Sequence, residues 1–179
     1  LVFAHSSTLT YTDVGWPLVL IGPDSLIRNC TVRDGDGIGL ALGSRSRAEG
    51  CRVADHGLIG IAMNSATDWV IDGCEVSGNN YRQMTLEYGG GMKFIPDCAG
   101  TIQNCLVRDN FANGIWFDTC NSGKPIIVRN NVVTGNSPVT GRNYDASAMC
   151  AAGIYIEISS NAQVYGNVVS GTACIGIAS

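Results

Sequence analysis

Ile102-Gln103-Asn104-Cys105-Leu106-Val107 decides the fold, because the chain writes the same six-residue phrase five more times. The copies are Ile27-Arg28-Asn29-Cys30-Thr31-Val32, Ala48-Glu49-Gly50-Cys51-Arg52-Val53, Ile71-Asp72-Gly73-Cys74-Glu75-Val76, Val128-Arg129-Asn130-Asn131-Val132-Val133 and Val164-Tyr165-Gly166-Asn167-Val168-Val169. Each is apolar-x-(Asn/Gly)-(Cys/Asn)-x-Val. A polar turn rich in Asp, Asn and Gly follows, and then a second apolar segment. The shortest period, from Cys30 to Cys51, is twenty-one residues. A repeat of that length, built from two or three short strands with no helical signal, predicts an all-β right-handed single-stranded parallel β-helix. About six to seven coils would stack as a solenoid, in one domain over residues 1–179. A leucine-rich repeat has a similar period, but its Leu-x-x-Leu-x-Leu signature is absent. A β-sandwich would not hold Asn and Cys in a fixed register.

The second segments read as strands with their apolar residues facing inward at alternate positions. They are Ile38-Gly39-Leu40-Ala41, Ile59-Gly60-Ile61-Ala62, Met92-Lys93-Phe94-Ile95, Ile115-Trp116-Phe117-Asp118, Ile154-Tyr155-Ile156-Glu157 and Ile175-Gly176-Ile177-Ala178. Written in that register, Gly39, Ala41, Gly60 and Ala62 face outward and leave two coils bare. The next three coils place Lys93, Trp116 and Tyr155 in one outward column, and Ile95, Asp118 and Glu157 in the next.

Composition narrows the function classes. Of 179 residues, 45% are apolar and 15% charged, so the chain has material for a core. A net charge of -4 and a pI near 5.0 argue against nucleic-acid and anionic-membrane partners. No apolar run reaches the roughly 20 residues that span a bilayer. The opening Leu1-Val2-Phe3-Ala4-His5 is not an intact signal peptide.

The eight cysteines are explained by the repeat. Cys30, Cys51, Cys74 and Cys105 share one slot, which Asn131 and Asn167 continue. They read as reduced core filler, stacked as small hydrophobes and amides. Cys98 and Cys120 follow the second strand in adjacent coils and stand as candidates for a disulfide. Cys150 and Cys174 precede that strand. No Cys-x-x-Cys pair suggests zinc. His56, in Asp55-His56-Gly57, reads as a turn residue, and His5 lies near a terminus.

Residues 1–26 read as an irregular start, with Thr8-Leu9-Thr10-Tyr11 alternating and Trp16 to Ile21 forming an incomplete coil. The chain stops in the middle of a strand at Ile177-Ala178-Ser179. Ends of this kind point to a piece of a longer β-helix, or to self-association through uncapped ends. Two insertions, Asn79 to Gly91 and Ser137 to Ala152, precede the strands that begin at Met92 and Ile154. They are expected to rise as walls beside the Trp116/Asp118 strand and to carry substrate-binding residues: Tyr81 and Arg82 from the first, Arg142 and Tyr144 from the second.

The outward residues form the candidate site. Asp118 and Glu157 lie on neighbouring strands, about 4.8 Å apart at the backbone. Such a pair serves either as an acid and a nucleophile about 5 to 5.5 Å apart or, both ionised, as a calcium clamp. Trp116 and Tyr155 offer flat faces to sugar rings. Lys93 is the electrostatic partner of the carboxylates, or the catalytic cation.

The repeats from Ile27–Val32 to Val164–Val169 resemble those of the pectate-lyase-like right-handed parallel β-helix superfamily over nearly the whole chain. The resemblance implies a secreted or cell-surface protein acting on carbohydrate. Gly-Ile-Trp-Phe-Asp followed by Gly-Ile-Tyr-Ile-Glu is similar to the Asp-plus-Glu pairs of β-helix glycosidases of the β-xylosidase type. That likeness would make Asp118 the nucleophile and Glu157 the acid/base. The Tyr-Gly-Phe-Asp motif of alginate epimerases and the paired aspartates of polygalacturonases are absent. A calcium-dependent polysaccharide lyase and a non-catalytic glycan-binding or structural module (adhesin, tailspike or surface-layer type) are the alternatives.

Overall fold

The computed structural model describes residues 2–4, 16–84, 88–139, 151–172 and 175–179. Three parallel sheets run along a solenoid. The first stacks β1 (Val2–Ala4), β4 (Thr31–Arg33), β7 (Arg52–Ala54), β10 (Glu75–Ser77), β13 (Leu106–Arg108), β16 (Val132–Thr134) and β19 (Val168–Ser170). The second stacks β2 (Val19–Ile21), β5 (Ile38–Leu42), β8 (Ile59–Asn64), β11 (Gly90–Ile95), β14 (Asn113–Asp118), β17 (Ala152–Glu157) and β20 (Ile175–Ala178). The third stacks β3 (Leu26–Arg28), β6 (Arg47–Glu49), β9 (Thr67–Asp72), β12 (Ala99–Gln103), β15 (Ile126–Arg129) and β18 (Ala162–Tyr165). The molecule is a right-handed parallel β-helix, as the repeat predicts.

The six-residue phrase is a corner, not a strand. It runs from the third sheet into the first. Its third residue turns the chain with a left-handed backbone: φ is 53° at Asn29, 59° at Gly50, 63° at Gly73, 55° at Asn104 and 56° at Asn130. Asn and Gly are the residues that tolerate this region best, which explains their alternation at that place. The next side chain turns inward. Cys51, Cys74, Cys105, Asn131 and Asn167 each donate to the carbonyl of the lead residue one coil back: Ile27, Ala48, Ile71, Ile102 and Val128. Asn131 Oδ1 accepts from Cys105 N at 2.9 Å, and Asn167 Oδ1 from Asn131 N at 3.0 Å. Contact with Cys105 and burial push the Cys74 thiol up to about 12, so it stays protonated. Cys98 and Cys120 also sit together on adjacent coils, but as free thiols rather than a disulfide. Cys150 and Cys174 lie outside the described residues.

A second ladder occupies the corner between the first and second sheets. Asn79 Nδ2 donates to Asn110 Oδ1 at 2.8 Å, and Asn110 Nδ2 to Asn136 Oδ1 at 2.9 Å. Their amides also donate to Val53, Val76 and Val107 carbonyls. His56 is the fourth member of this ladder rather than a simple turn residue. It is fully buried, accepts from Gly35 N at Nδ1 and donates from Nε2 to Val32 O at 3.2 Å.

The register of the second sheet differs from the sequence expectation by two residues at β5, β8 and β20. Leu40 and Ile61, not Ile38 and Ile59, share the column of Met92, and Ile177 pairs with Ile154. Independently of that shift, Gly39 and Gly60 do not face outward. A Cβ at Gly39 would meet His56 Nε2 at 2.4 Å, and one at Gly60 would meet Asn79 Nδ2 at 2.6 Å. These glycines sit over the corner ladder, and strand alternation is broken there, so Ile38 and Ile59 point to the outer face. Inside, Trp69, Phe94 and Phe117 stack at centroid distances of 4.8 and 4.6 Å. Trp69 is roofed by Gly100, where a Cβ would come within 2.4 Å of the indole.

Asn110→Ala is expected to cost roughly 2–4 kcal/mol, because it strips a partner from Val76 O and from Asn79 in a site closed to water. Urea denaturation measures this, and a loss below about 1 kcal/mol would show that the ladder is dispensable. Burial pushes His56 below its ordinary value, against the pull of the Val32 carbonyl. The unfolded chain takes up a proton near pH 6.5 that the folded chain refuses. Stability should therefore be full above about pH 6.5 and fall as pH drops below it. His56→Asn should fold and show a flatter stability profile between about pH 7 and 5 than the parent.

Candidate functional site

The outer face of the second sheet carries one continuous column. Lys93 pairs with Trp116 and with Ala62, and Trp116 pairs with Tyr155. Asp118 and Glu157 are in-register partners on β14 and β17, two residues further along their strands. The structure thus brings together the five residues that the sequence singled out on these strands.

Their environments differ from the open platform that the sequence suggests. Lys93 is 6% exposed and Trp116 5%. The Lys93 ammonium lies 3.4 Å from the Trp116 ring centroid. Tyr155 stacks on Trp116 at 5.9 Å with an interplanar angle of 24°. Trp116 is therefore packed between a cation and a phenol and offers no free face to a sugar. Its work is at the edge: Nε1 donates to Glu157 Oε2 at 2.9 Å. The Tyr155 hydroxyl also bonds to Glu157. Burial, then the charge of Glu157 and this bond, hold the phenol above its ordinary value. Asp118 faces the opposite kind of neighbour, the Lys93 ammonium at 3.6 Å. One carboxylate is held by a cation and the other by two neutral donors.

This donor set suits calcium poorly. Calcium asks for six to eight oxygens, and an ammonium already occupies the space beside Asp118. Among the described residues no group of three or more acids, histidines and cysteines gathers to hold a metal.

Tyr81 and Arg82 of the first insertion are not delivered here. Tyr81 is 46% exposed and donates to Asp36, and its backbone binds His56 O. Arg82 N bonds to Gly57 O. Both lie at the corner before β11, at the other end of the second-sheet strands from Asp118. Arg142 and Tyr144 lie outside the described residues. The end of the second insertion is fixed where Ala152 N donates to Asn113 Oδ1 at 2.7 Å.

Sequence reading missed the space beside Lys93. A cleft of about 680 Å³ runs along the outer face below it. Ala41 and Ala62 form its floor, Ile38 and Ile59 one side, and Trp16 and Tyr88 its rim. The signal was present in the small residues of Ala41 and Ala62. It was obscured by the assumption of regular strand alternation, which set Gly39 and Gly60 beside them as bland surface and turned Ile38 and Ile59 inward.

A model of the right-handed β-helix region matches residues 18–179. The chain belongs to the right-handed β-helix family. No curated protein matches it. Among solved structures, this β-helix is similar to that of pectate lyase Pel9A, with a TM-score of 0.57 and 17% identity. The match covers 82% of this chain and 43% of the lyase, so the β-helix described here spans less than half the length of that protein. At this identity the likeness concerns the fold.

Trp116→Ala should cost about 3–5 kcal/mol in urea unfolding, as expected for a buried ring. A surface sugar platform would lose less than about 1 kcal/mol on the same substitution.

Proposed function

We propose that this β-helix cleaves glycosidic bonds with Asp118 and Glu157 as its carboxylate pair. The observation that carries the reading is their asymmetric setting on adjacent rungs. Asp118 stands beside an ammonium, and Glu157 is oriented by the Trp116 and Tyr155 donors. Rungs about 4.8 Å apart are commensurate with the 5 to 5.5 Å carboxyl separation of retaining glycosidases.

In this reading Glu157 gives its proton to the departing glycosidic oxygen while an Asp118 oxygen bonds to the anomeric carbon. Water then attacks that carbon, loses a proton to Glu157 and releases Asp118. Lys93 positions Asp118 and balances its charge. Trp116 and Tyr155 orient Glu157. Carbohydrate is the partner, consistent with the pectate lyase among the structural neighbours. A lyase would need a base to remove a proton beside a uronate carboxylate. Lys93 is 6% exposed and turned to the Trp116 ring and the Asp118 carboxylate, so its nitrogen is not presented to a substrate carbon. Hydrolysis is therefore the preferred chemistry.

Reducing-end release from a panel of oligo- and polysaccharides tests the proposal. Asp118→Asn and Glu157→Gln should each cut turnover at least about 100-fold with the melting curve retained. Parental activity in either variant would remove that residue from the mechanism. Unsaturated uronate products would replace hydrolysis by elimination. Glycan binding without turnover by the parent would make the chain a binding module.

A further inference from the structure

The cleft below Lys93 abuts the carboxylate pair, and its chemistry differs from that of a sugar subsite. Extending the pairing of Phe94 with Phe117 by one residue sets Ile95 beside Asp118. Ile95 in turn pairs with Asn64, and both line the cleft. The cleft thus ends one rung, about 4.8 Å, from the proposed nucleophile. Its floor of Ala41 and Ala62 is flanked by Ile38 and Ile59 and closed at the far end by Leu20 and Trp16. Trp16 and Leu20 are 87% and 61% exposed and add large apolar surface at this end. The Lys93 ammonium is turned to Trp116 and Asp118, so what Lys93 adds to the cleft is mainly its aliphatic stem. A volume of about 680 Å³ falls within the range of small-molecule sites, whereas polysaccharide subsites need hydroxyl partners along their length.

We infer that this cleft binds an apolar aglycone, an alkyl or aryl group attached to the sugar whose bond is cut at Asp118 and Glu157. The inference rests on the glycosidase reading and narrows its substrate from plain polysaccharide to glycosides of hydrophobic alcohols. The sugar sits over the Asp118 and Glu157 rungs. The leaving-group oxygen lies above Ile95, and the apolar group extends along Ala62 and Ala41 towards Trp16.

Binding is measured by calorimetry on the Asp118→Asn/Glu157→Gln double variant, which separates occupancy from turnover. The probes are methyl and n-octyl glycosides of glucose, galactose and xylose, with the octyl compounds below their micelle concentrations. The n-octyl glycosides should bind at least tenfold more tightly than the methyl glycosides. That gain should vanish when the cleft is filled by Ala62→Trp or, independently, by Ala41→Phe, two half-exposed outward positions where a larger side chain leaves the core untouched. Equal affinity of octyl and methyl ligands overturns the inference. So does an octyl gain that survives both filling variants. On the parent protein, octyl binding with no cleavage of any member of the series would overturn the hydrolytic reading while leaving the cleft as an apolar-ligand site. Cleavage of methyl glycosides as fast as octyl ones, with no octyl gain in affinity, would keep hydrolysis and discard the aglycone site.

Discussion

At two corners of a typical coil, a residue with a left-handed backbone is followed by a short side chain that turns inward. That side chain bonds to the backbone of the preceding coil and, in the asparagine runs, to the side chains of the coils on either side. Asn110 shows the full arrangement: it donates to Val76 O and Asn136 Oδ1, and accepts from Asn79. A parallel β-helix cannot hide its corners from the core, and each corner interrupts the strand pairing that satisfies the backbone elsewhere. An unpaired buried amide or carbonyl costs about 1–3 kcal/mol, so a stack of coils without these ladders would lose much of its margin at the corners alone. Asn donates to the coils on both sides and accepts from the preceding one. Cys donates and accepts weakly: Cys74 Sγ accepts from Cys51 N at 3.4 Å against 2.9 Å for Asn131 Oδ1 from Cys105 N. The outer ladder is therefore firmer in its asparagine half, while the thiols contribute more by packing than by bonding.

The ladders dictate what happens on the neighbouring strand. An Asn amide at the corner leaves no room for a Cβ on the strand that follows, and glycine is what fits. At Gly91 and Gly114 a Cβ would meet Asn110 and Asn136 nitrogens at 2.9 and 2.8 Å. His56 is larger than Asn, and it demands the same relief twice, at Gly35 and Gly39. Because the glycine faces inward beside an inward Leu40 or Ile61, the residue before it is turned out. That is how Ile38 and Ile59, hydrophobic residues in a strand, come to line an outer cleft. The candidate functional face is thus shaped from within by the corner that precedes it.

The fold was legible because its signal is repeated. Val32, Val53, Val76, Val107 and Val133 all point into the core, as their fixed distance from the Cys/Asn slot requires. The pair Asp118/Glu157 was legible for the same reason, since each stands four residues after the glycine of a Gly-Ile strand, Gly114 and Gly153, and like strands of adjacent coils align. What failed was information that alternation does not hold. A slip of two residues leaves every side chain on its own face in a regular strand, so hydrophobicity could not choose between Ile38 and Leu40 as partner of Met92. The choice is made by the glycine under the ladder, a three-dimensional clash. Trp116 was placed correctly but misjudged as open, because sequence gives direction and not cover. Its neighbours Lys93 and Tyr155 were read as fellow surface residues rather than as the two faces of its stack. Trp69 gave no signal at all: its place in the core stack depends on Gly100 one coil later.

Lys93 is the least economical residue for a merely structural face. Its ammonium is almost fully removed from water, with a ring face at 3.4 Å and a carboxylate at 3.6 Å, too long for a good hydrogen bond. Desolvating a charge costs several kcal/mol, which its contacts, the ring face among them, must offset. A leucine there would cover Trp116 with no such cost. The ammonium makes sense if charge is needed next to Asp118, where an apolar residue could neither hold the carboxylate in place nor balance it during reaction. The stem of the same side chain closes one end of the apolar cleft, so a single residue divides the outer column into a hydrophobic half and a charged half. A ligand that is apolar at one end and a sugar at the other matches that division, and a uniform polysaccharide strand does not.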